Sequence, residues 1–234
     1  MTVGFDRVIQ RHWLDHALDL AHRPTDVAVA RQALDNTLRT VITSNTSREK
    51  TVGILRSIWL DPPAACQTLR NEALGLDRGP SNRTLLHWGM CIASYPFVGT
   101  VAEATGRLLR LQETVSISQV RRRVQAIYGD RSTVNKAVPC VLRSFADWGV
   151  LHDTDTDCFA LNASREVTSP QLAGWLLESA LHAKRVDAAD FQTLLATPLL
   201  FPFQIALYTA NQLPPSDRRL VQRQGQTRDV LVLA

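Results

Sequence analysis

Cationic side chains are concentrated in the middle of this 234-residue sequence, where they are suited to contact phosphate groups. Residues 100–145 contain eight Lys and Arg against three Asp and Glu, whereas residues 146–234 contain seven against ten. Cations on one protein surface neutralise nucleic-acid phosphates and release their counterions. Six cations carry this prediction: Arg121, Arg122, Arg123, Arg131, Lys136 and Arg143.

Side chains suited to metal binding or catalysis do not converge in the sequence. His12 and His16 have the spacing of a metal-binding pair on a helix, but no third ligand is evident. Residues 153–157 (DTDTD) resemble the start of a calcium loop that lacks its central glycine and distal glutamate. The motifs of nucleotide-binding loops, nucleophile elbows and zinc proteases are absent. We therefore predict no catalytic residue, no metal, no cofactor and no enzymatic activity.

The elements that position the cations are predicted from hydrophobic periodicity between residues 97 and 162. We expect a helix over 101–111 with Leu111 facing inward, and a strand over 114–117. A second helix follows, which Ser118 caps and whose buried apolar stripe includes Ile127. After a turn at Gly129, Ser132 caps a third helix with one apolar and one polar face. Residues 150–161 then predict a β-hairpin. The start of the third helix adds residues able to reach phosphate or a base edge: Ser132, Thr133 and Asn135.

This order of elements resembles the winged helix-turn-helix superfamily, chiefly through residues 118–124 (SQVRRRV), 129–133 (GDRST) and 142–151 (LRSFADWGVL). The resemblance implies binding of double-stranded DNA, with the third helix in the major groove. Pro139 departs from a regular helix and predicts a kink. The acidic hairpin tip argues against insertion of a wing into the minor groove.

A second resemblance is to the BrxA-type proteins of BREX phage-exclusion islands. It is carried by Asn36 and by residues 46–50 (TSREK), 200–203 (LFPF) and 223–225 (RQG). It implies a helical, non-enzymatic DNA-binding protein of bacterial phage defence, with other defence-system proteins as partners.

The whole chain is predicted to be mainly α with small β-hairpins. An N-terminal helical bundle (1–95) precedes the winged helix-turn-helix (96–165) and a small α+β C-terminal part (166–234). We expect a capping box over 46–49, a helix over 187–195 and a final hairpin around 224–226. The five tryptophans lie on apolar stripes and are predicted to belong to the core.

Neither a membrane-spanning stretch nor a signal peptide is evident, so we expect a cytoplasmic protein without a membrane partner. Two other functions fit the same sequence. The first is that of a protein-interaction scaffold. The second is that of a transcriptional regulator with a ligand pocket in its helical bundle. The oligomeric state is left open by the sequence.

Overall fold

Helices dominate the N-terminal part of the chain, as predicted. The computed structural model describes residues 3–207, 209–224 and 228–233. The helix over Asn45–Leu55 continues into one π-helical turn, Arg56–Leu60, which ends at Asp61 before two prolines. The first five helices are α1 (Arg11–Ala21), α2 (Val27–Leu38), α3 (Asn45–Leu55), α4 (Gln67–Leu76) and α5 (Pro80–Ser94).

The start of α3 differs from the predicted capping box over 46–49. The Ser44 hydroxyl caps the helix and accepts a hydrogen bond from the Ser47 amide at 3.4 Å. Ser44 offers the same capping chemistry as the predicted Thr46, two residues earlier. Arg48 then lies buried in the first turns of α3 and donates to Asp35 of α2 at 2.8 Å.

The middle of the chain has the predicted order of helices and strands. The Ser116 hydroxyl, not that of Ser118, caps the second helix of this segment in a capping box with Gln119. The segment also contains a three-stranded antiparallel sheet, in which residues 158–161 form the central strand between residues 114–116 and residues 151–155. The six elements are α6 (Pro96–Leu109), β1 (Thr114–Ser116), α7 (Ile117–Tyr128), α8 (Ser132–Asp147), β2 (Leu151–Asp155) and β3 (Cys158–Leu161).

Two apolar residues that were predicted to be buried are exposed. Leu111 is 80% exposed because α6 ends at Leu109, and Ile127 is 59% exposed while Tyr128 is buried instead. The apolar face of α8 is buried as predicted, and the helix extends to Asp147 with Pro139 inside it. The proline therefore does not end the helix. Ser132 is the first residue of α8 rather than its cap, which is Arg131.

The C-terminal part combines helices with short strands. Residues 188–190 pair with the last strand, so the predicted helix over 187–195 is wrong in its first half. The final antiparallel pair is confirmed, although residues 225 and 226 of its predicted turn lie outside the described residues. The elements are β4 (Arg165–Val167), α9 (Pro170–Lys184), β5 (Ala188–Asp190), α10 (Phe191–Leu195), β6 (Phe203–Ile205), β7 (Arg219–Gln224) and β8 (Arg228–Leu233).

One continuous buried cluster contains residues from all three predicted segments. At its centre, the Trp88 ring of α5 lies 4.6 Å from the Phe145 ring of α8 and 5.1 Å from the Phe201 ring. The Trp88 indole nitrogen donates to the Leu199 carbonyl at 3.3 Å. Four tryptophans are fully buried as predicted, whereas Trp13 is half-buried.

Two buried polar clusters join distant parts of the chain. The Trp59 indole donates to His87 Nδ1 at 3.1 Å, and His87 Nε2 lies 3.0 Å from an Asp15 carboxylate oxygen. Since Nδ1 accepts from the indole, Nε2 carries the proton and donates to Asp15. Burial lowers the pKa of His87, so this imidazole is held neutral.

The second cluster holds the C-terminal sheet against α9. The Glu178 carboxylate of α9 is buried and accepts from the Arg219 guanidinium of β7 at 2.6 Å and from Arg218. Glu72 of α4 accepts from Arg219 at 2.7 Å and 2.8 Å. Although burial opposes it, hydrogen bonds and the neighbouring cations lower the pKa of Glu178.

Among the described residues no single helix is long and apolar enough to cross a membrane. α5 and α6 satisfy the length and composition criterion only as a pair, and they are bent by 117° at the break between them.

Candidate nucleic-acid interface

The N-terminal segment, residues 3–10, packs along part of the C-terminal half of α8. The Ile9 amide donates to the buried Ser144 hydroxyl at 2.8 Å, and the Trp148 indole donates to the Ile9 carbonyl at 2.8 Å. The Arg11 amide, where α1 begins, donates to the Asp147 carboxylate at 2.5 Å. These three contacts fix the segment along the helix and cover the surface around Ser144, whereas the Arg143 side chain of the same half stays exposed.

The first two turns of α8 remain open to solvent. Four residues here have exposed side chains: Arg131, Ser132, Thr133 and Lys136. The Arg131 guanidinium donates through Nε to the Tyr128 carbonyl at 2.8 Å, which holds the side chain beside the turn between α7 and α8. The beginning of α8 is therefore an accessible part of the predicted surface.

Asn135 is half-buried within the same turn. Its side-chain oxygen accepts from Gln125 at 2.8 Å, and its side-chain nitrogen donates to Asp130 at 3.1 Å. Both ends of the amide are thus engaged inside the protein.

A cleft of about 650 Å³ lies beside the exposed start of α8. α3 contributes Lys50, Gly53 and Ile54, and the N-terminal segment forms the opposite wall with residues 3, 4 and 6. Three residues predicted for DNA binding line the α8 side: Arg131, Thr133 and Lys136. The structure thereby adds Lys50 to the cations of this surface, from a helix that is distant in sequence.

The charge of this cleft is positive. Within the described ranges, neither Lys50 nor Lys136 has a carboxylate within 4.0 Å. Asp6 also lines the cleft, but its carboxylate is paired with the Arg7 guanidinium at 3.0 Å. The cations are therefore available to an anion from outside the chain.

The three arginines of α7 do not share this cleft. Arg122 and Arg123 are exposed and line a groove of about 570 Å³ together with Leu108 of α6. Arg121 is half-buried, and its Nε is buried without a hydrogen-bond partner in the described part of the chain. The predicted basic surface is thus divided between the start of α8 and the groove between α6 and α7.

Arg143 lies near the β2-β3 hairpin rather than at the cleft. Its guanidinium contacts the Asp157 carboxylate at 3.3 Å, and both side chains are more than half exposed. The hairpin tip also exposes Asp153 and Asp155. Arg143 therefore has its charge partly compensated by an acidic neighbourhood.

The His12 and His16 pair considered in the sequence belongs to no group of three possible metal ligands among the described residues. His16 Nε2 lies 3.1 Å from the Thr37 hydroxyl. No group of three His, Cys, Asp or Glu residues suited to a metal occurs among the residues that the structure covers.

Comparison of the chain with protein-family models, with curated proteins and with solved structures finds no match.

Proposed function

We propose that the protein is a non-enzymatic DNA-binding protein in which residues 96–165 act as a winged helix-turn-helix. The order α6, β1, α7, α8, β2, β3 and the sheet order β1-β3-β2 support this reading. The observation that carries it is the open start of α8, where Arg131, Lys136 and Lys50 surround one cleft. In helix-turn-helix proteins the N-terminal residues of the recognition helix make the contacts with DNA.

The N-terminal segment limits how α8 meets a duplex. Because Ser144 and Asp147 are occupied by residues 9 and 11, only the first turns of α8 approach the groove. Three cations at this surface neutralise about three phosphates, which predicts a slope of log K against log salt near −2.7. If Arg122 and Arg123 also contact the same duplex, the slope becomes about −4.5. The salt dependence therefore tells whether one or both basic surfaces bind.

The test is fluorescence anisotropy with a labelled duplex over a salt series, using the full chain. Lys50→Ala combined with Lys136→Ala should make the slope less steep by about 1.8 and weaken binding about 60-fold at 0.1 M salt. Lys184→Ala is the matched control, because Lys184 lies on α9 and faces Glu103 at 3.7 Å. Absence of binding to any duplex at low salt, or equal binding by the double variant, would contradict the proposal.

A protein-interaction scaffold is the second candidate function. It is favoured by the covered half of α8 and by the exposed apolar Ile127 beside the α6-α7 groove. Ala126 is exposed in the same groove, so the apolar surface there extends over more than one side chain. Loss of duplex binding in the assay above, together with a stable complex in which Ile127→Asp abolishes association, would favour this function.

We further propose a role in phage defence, which rests on the BrxA-type resemblance alone. Of the residues that carry this resemblance, 46–50 lie at the start of α3 and 200–203 lie beside the Trp88 ring. Gly225 lies outside the described residues. Plating efficiency of phage on cells with and without the encoding gene tests this role. Equal plating of every phage in the panel would contradict it.

A further inference from the structure

The cleft beside α8 has the size of a small-molecule site. Its volume of about 650 Å³ falls within the usual range of ligand pockets. Val3 and Ile54 are buried apolar residues in its wall, and the Tyr95 side chain contributes an aromatic ring. The cleft therefore combines an apolar wall with the cations described above, which is the lining expected for an amphipathic anion.

The cations reach the cleft from two helical elements. Lys50 projects from α3, while Arg131 and Lys136 belong to the beginning of α8. Thr133 lies in the first turn of α8, where no side chain of the described residues caps the helix. The unpaired backbone amides at a helix start add partial positive charge to that of the side chains. Phosphate is the anion that such a combination suits best.

We infer that this cleft binds a small phosphorylated molecule of about the size of a nucleoside monophosphate. The phosphate contacts Lys50, Arg131 and Lys136, and the remainder of the molecule packs against Val3, Ile54 and the Tyr95 ring. The site is a property of the cleft and does not depend on DNA binding.

One consequence does rest on the proposed function. Arg131, Thr133 and Lys136 line the cleft and also form the proposed DNA surface. A bound phosphate would occupy cations that a duplex requires, so ligand and DNA should exclude each other. The small molecule would thereby regulate DNA binding.

Gly53 offers a way to fill the cleft without removing a charge. It lines the cleft from α3, and apart from its chain neighbours and the backbone of its own helix, a Cβ added there meets no heavy atom of the described residues within 4 Å. Because Gly is a poor helix former, a larger side chain at this position also favours the helix. Gly53→Leu should therefore block the cleft while the protein stays folded. Gly53→Ala is the matched control, since it makes the same change to the backbone with a minimal side chain.

The experiment is isothermal titration calorimetry on the full chain with four nucleoside monophosphates, inorganic phosphate and adenosine as probes. We expect at least one monophosphate to bind, with adenosine and inorganic phosphate each at least tenfold weaker. Gly53→Leu should weaken the monophosphate at least tenfold, whereas Gly53→Ala should stay within twofold of the original protein. Thermal unfolding by circular dichroism confirms that both variants are folded.

Several outcomes would overturn the inference. No heat of binding with any monophosphate at millimolar concentration would remove the ligand site, as would unchanged affinity in Gly53→Leu. Inorganic phosphate binding as tightly as every monophosphate would remove the role of the apolar wall. If the protein binds the duplex but no monophosphate, the proposed ligand site is refuted and the proposed DNA binding is not. If it binds a monophosphate but no duplex, the proposed DNA binding is refuted and the ligand site is not. When both bind, an unchanged duplex affinity at saturating monophosphate would refute competition.

Discussion

The Ser144 hydroxyl holds the N-terminal segment on α8 through a hydrogen bond. Removing this hydroxyl measures how much that hydrogen bond contributes to the free energy of unfolding. Ser144 is fully buried, accepts from the Ile9 amide at 2.8 Å and donates to the Cys140 carbonyl at 2.9 Å. Ser144→Ala leaves the buried Ile9 amide without an acceptor, which costs about 1–3 kcal/mol. In a chain of this length each kcal/mol lowers Tm by about 2–4 °C, so a decrease of about 2–12 °C is expected.

Urea unfolding gives the change in the free energy of unfolding, and hydrogen exchange of residues 5–14 shows where it arises. We expect faster exchange at the Ile9 and Arg11 amides in Ser144→Ala. Ser81→Ala is the control, because Ser81 is an exposed serine in the first turn of α5 and its replacement should cost less than about 0.5 kcal/mol. A similarly small cost for Ser144→Ala, with unchanged exchange at Ile9, would refute the attachment.

Three further predictions concern the buried clusters and the packing of α5. The pKa of His87 is lowered from 6.5, so below pH 6.5 the unfolded chain gains a proton that the folded state excludes, and stability falls by at most about 1.4 kcal/mol per pH unit. His87→Gln should reduce this loss in urea titrations at pH 7.5 and 5.5; an unchanged dependence on pH would argue against a neutral His87 bonded to Trp59. Glu178→Gln should cost about 1–3 kcal/mol in urea unfolding because Arg219 loses a buried charged acceptor but keeps Glu72, and a cost below about 0.5 kcal/mol would contradict this. Gly89→Ala places a Cβ 2.4 Å from the ring of the α9 tryptophan. The overpacking cost of about 1–3 kcal/mol should exceed the helical gain of about 1 kcal/mol, so a variant with raised Tm would disprove the close contact.

Local patterns in the sequence predicted the elements around α8 well. The apolar periodicity from Val134 to Trp148 correctly predicted the buried face of α8. Gly129, which has a φ of 81°, marks the end of α7 as expected. Errors occurred at helix ends, where neighbouring residues compete for one role. Leu111 fits the period of α6 but follows its last residue, and Ser116 caps α7 in place of Ser118.

Contacts between distant residues were not predictable from spacing. Lys50 and Lys136 line the same cleft although 86 positions separate them in the chain. Ile9 and Ser144 are 135 positions apart, and neither local sequence indicates that they meet. Residues 188–190 have no strong strand preference and become β5 only because β8 pairs with them. The candidate site was therefore predicted in its α8 half and missed in its α3 half.

The aromatic cluster around Trp88 gives the molecule a built-in optical reporter. The Trp88 ring contacts Phe145 and Trp148 from α8, and Phe201 and Phe203 from the C-terminal part. An indole in such surroundings emits at shorter wavelength than one in water. Any event that separates α5 from either neighbour should shift this emission to the red. Intrinsic fluorescence can therefore report when the buried tryptophans, Trp88 among them, reach water, without an attached dye.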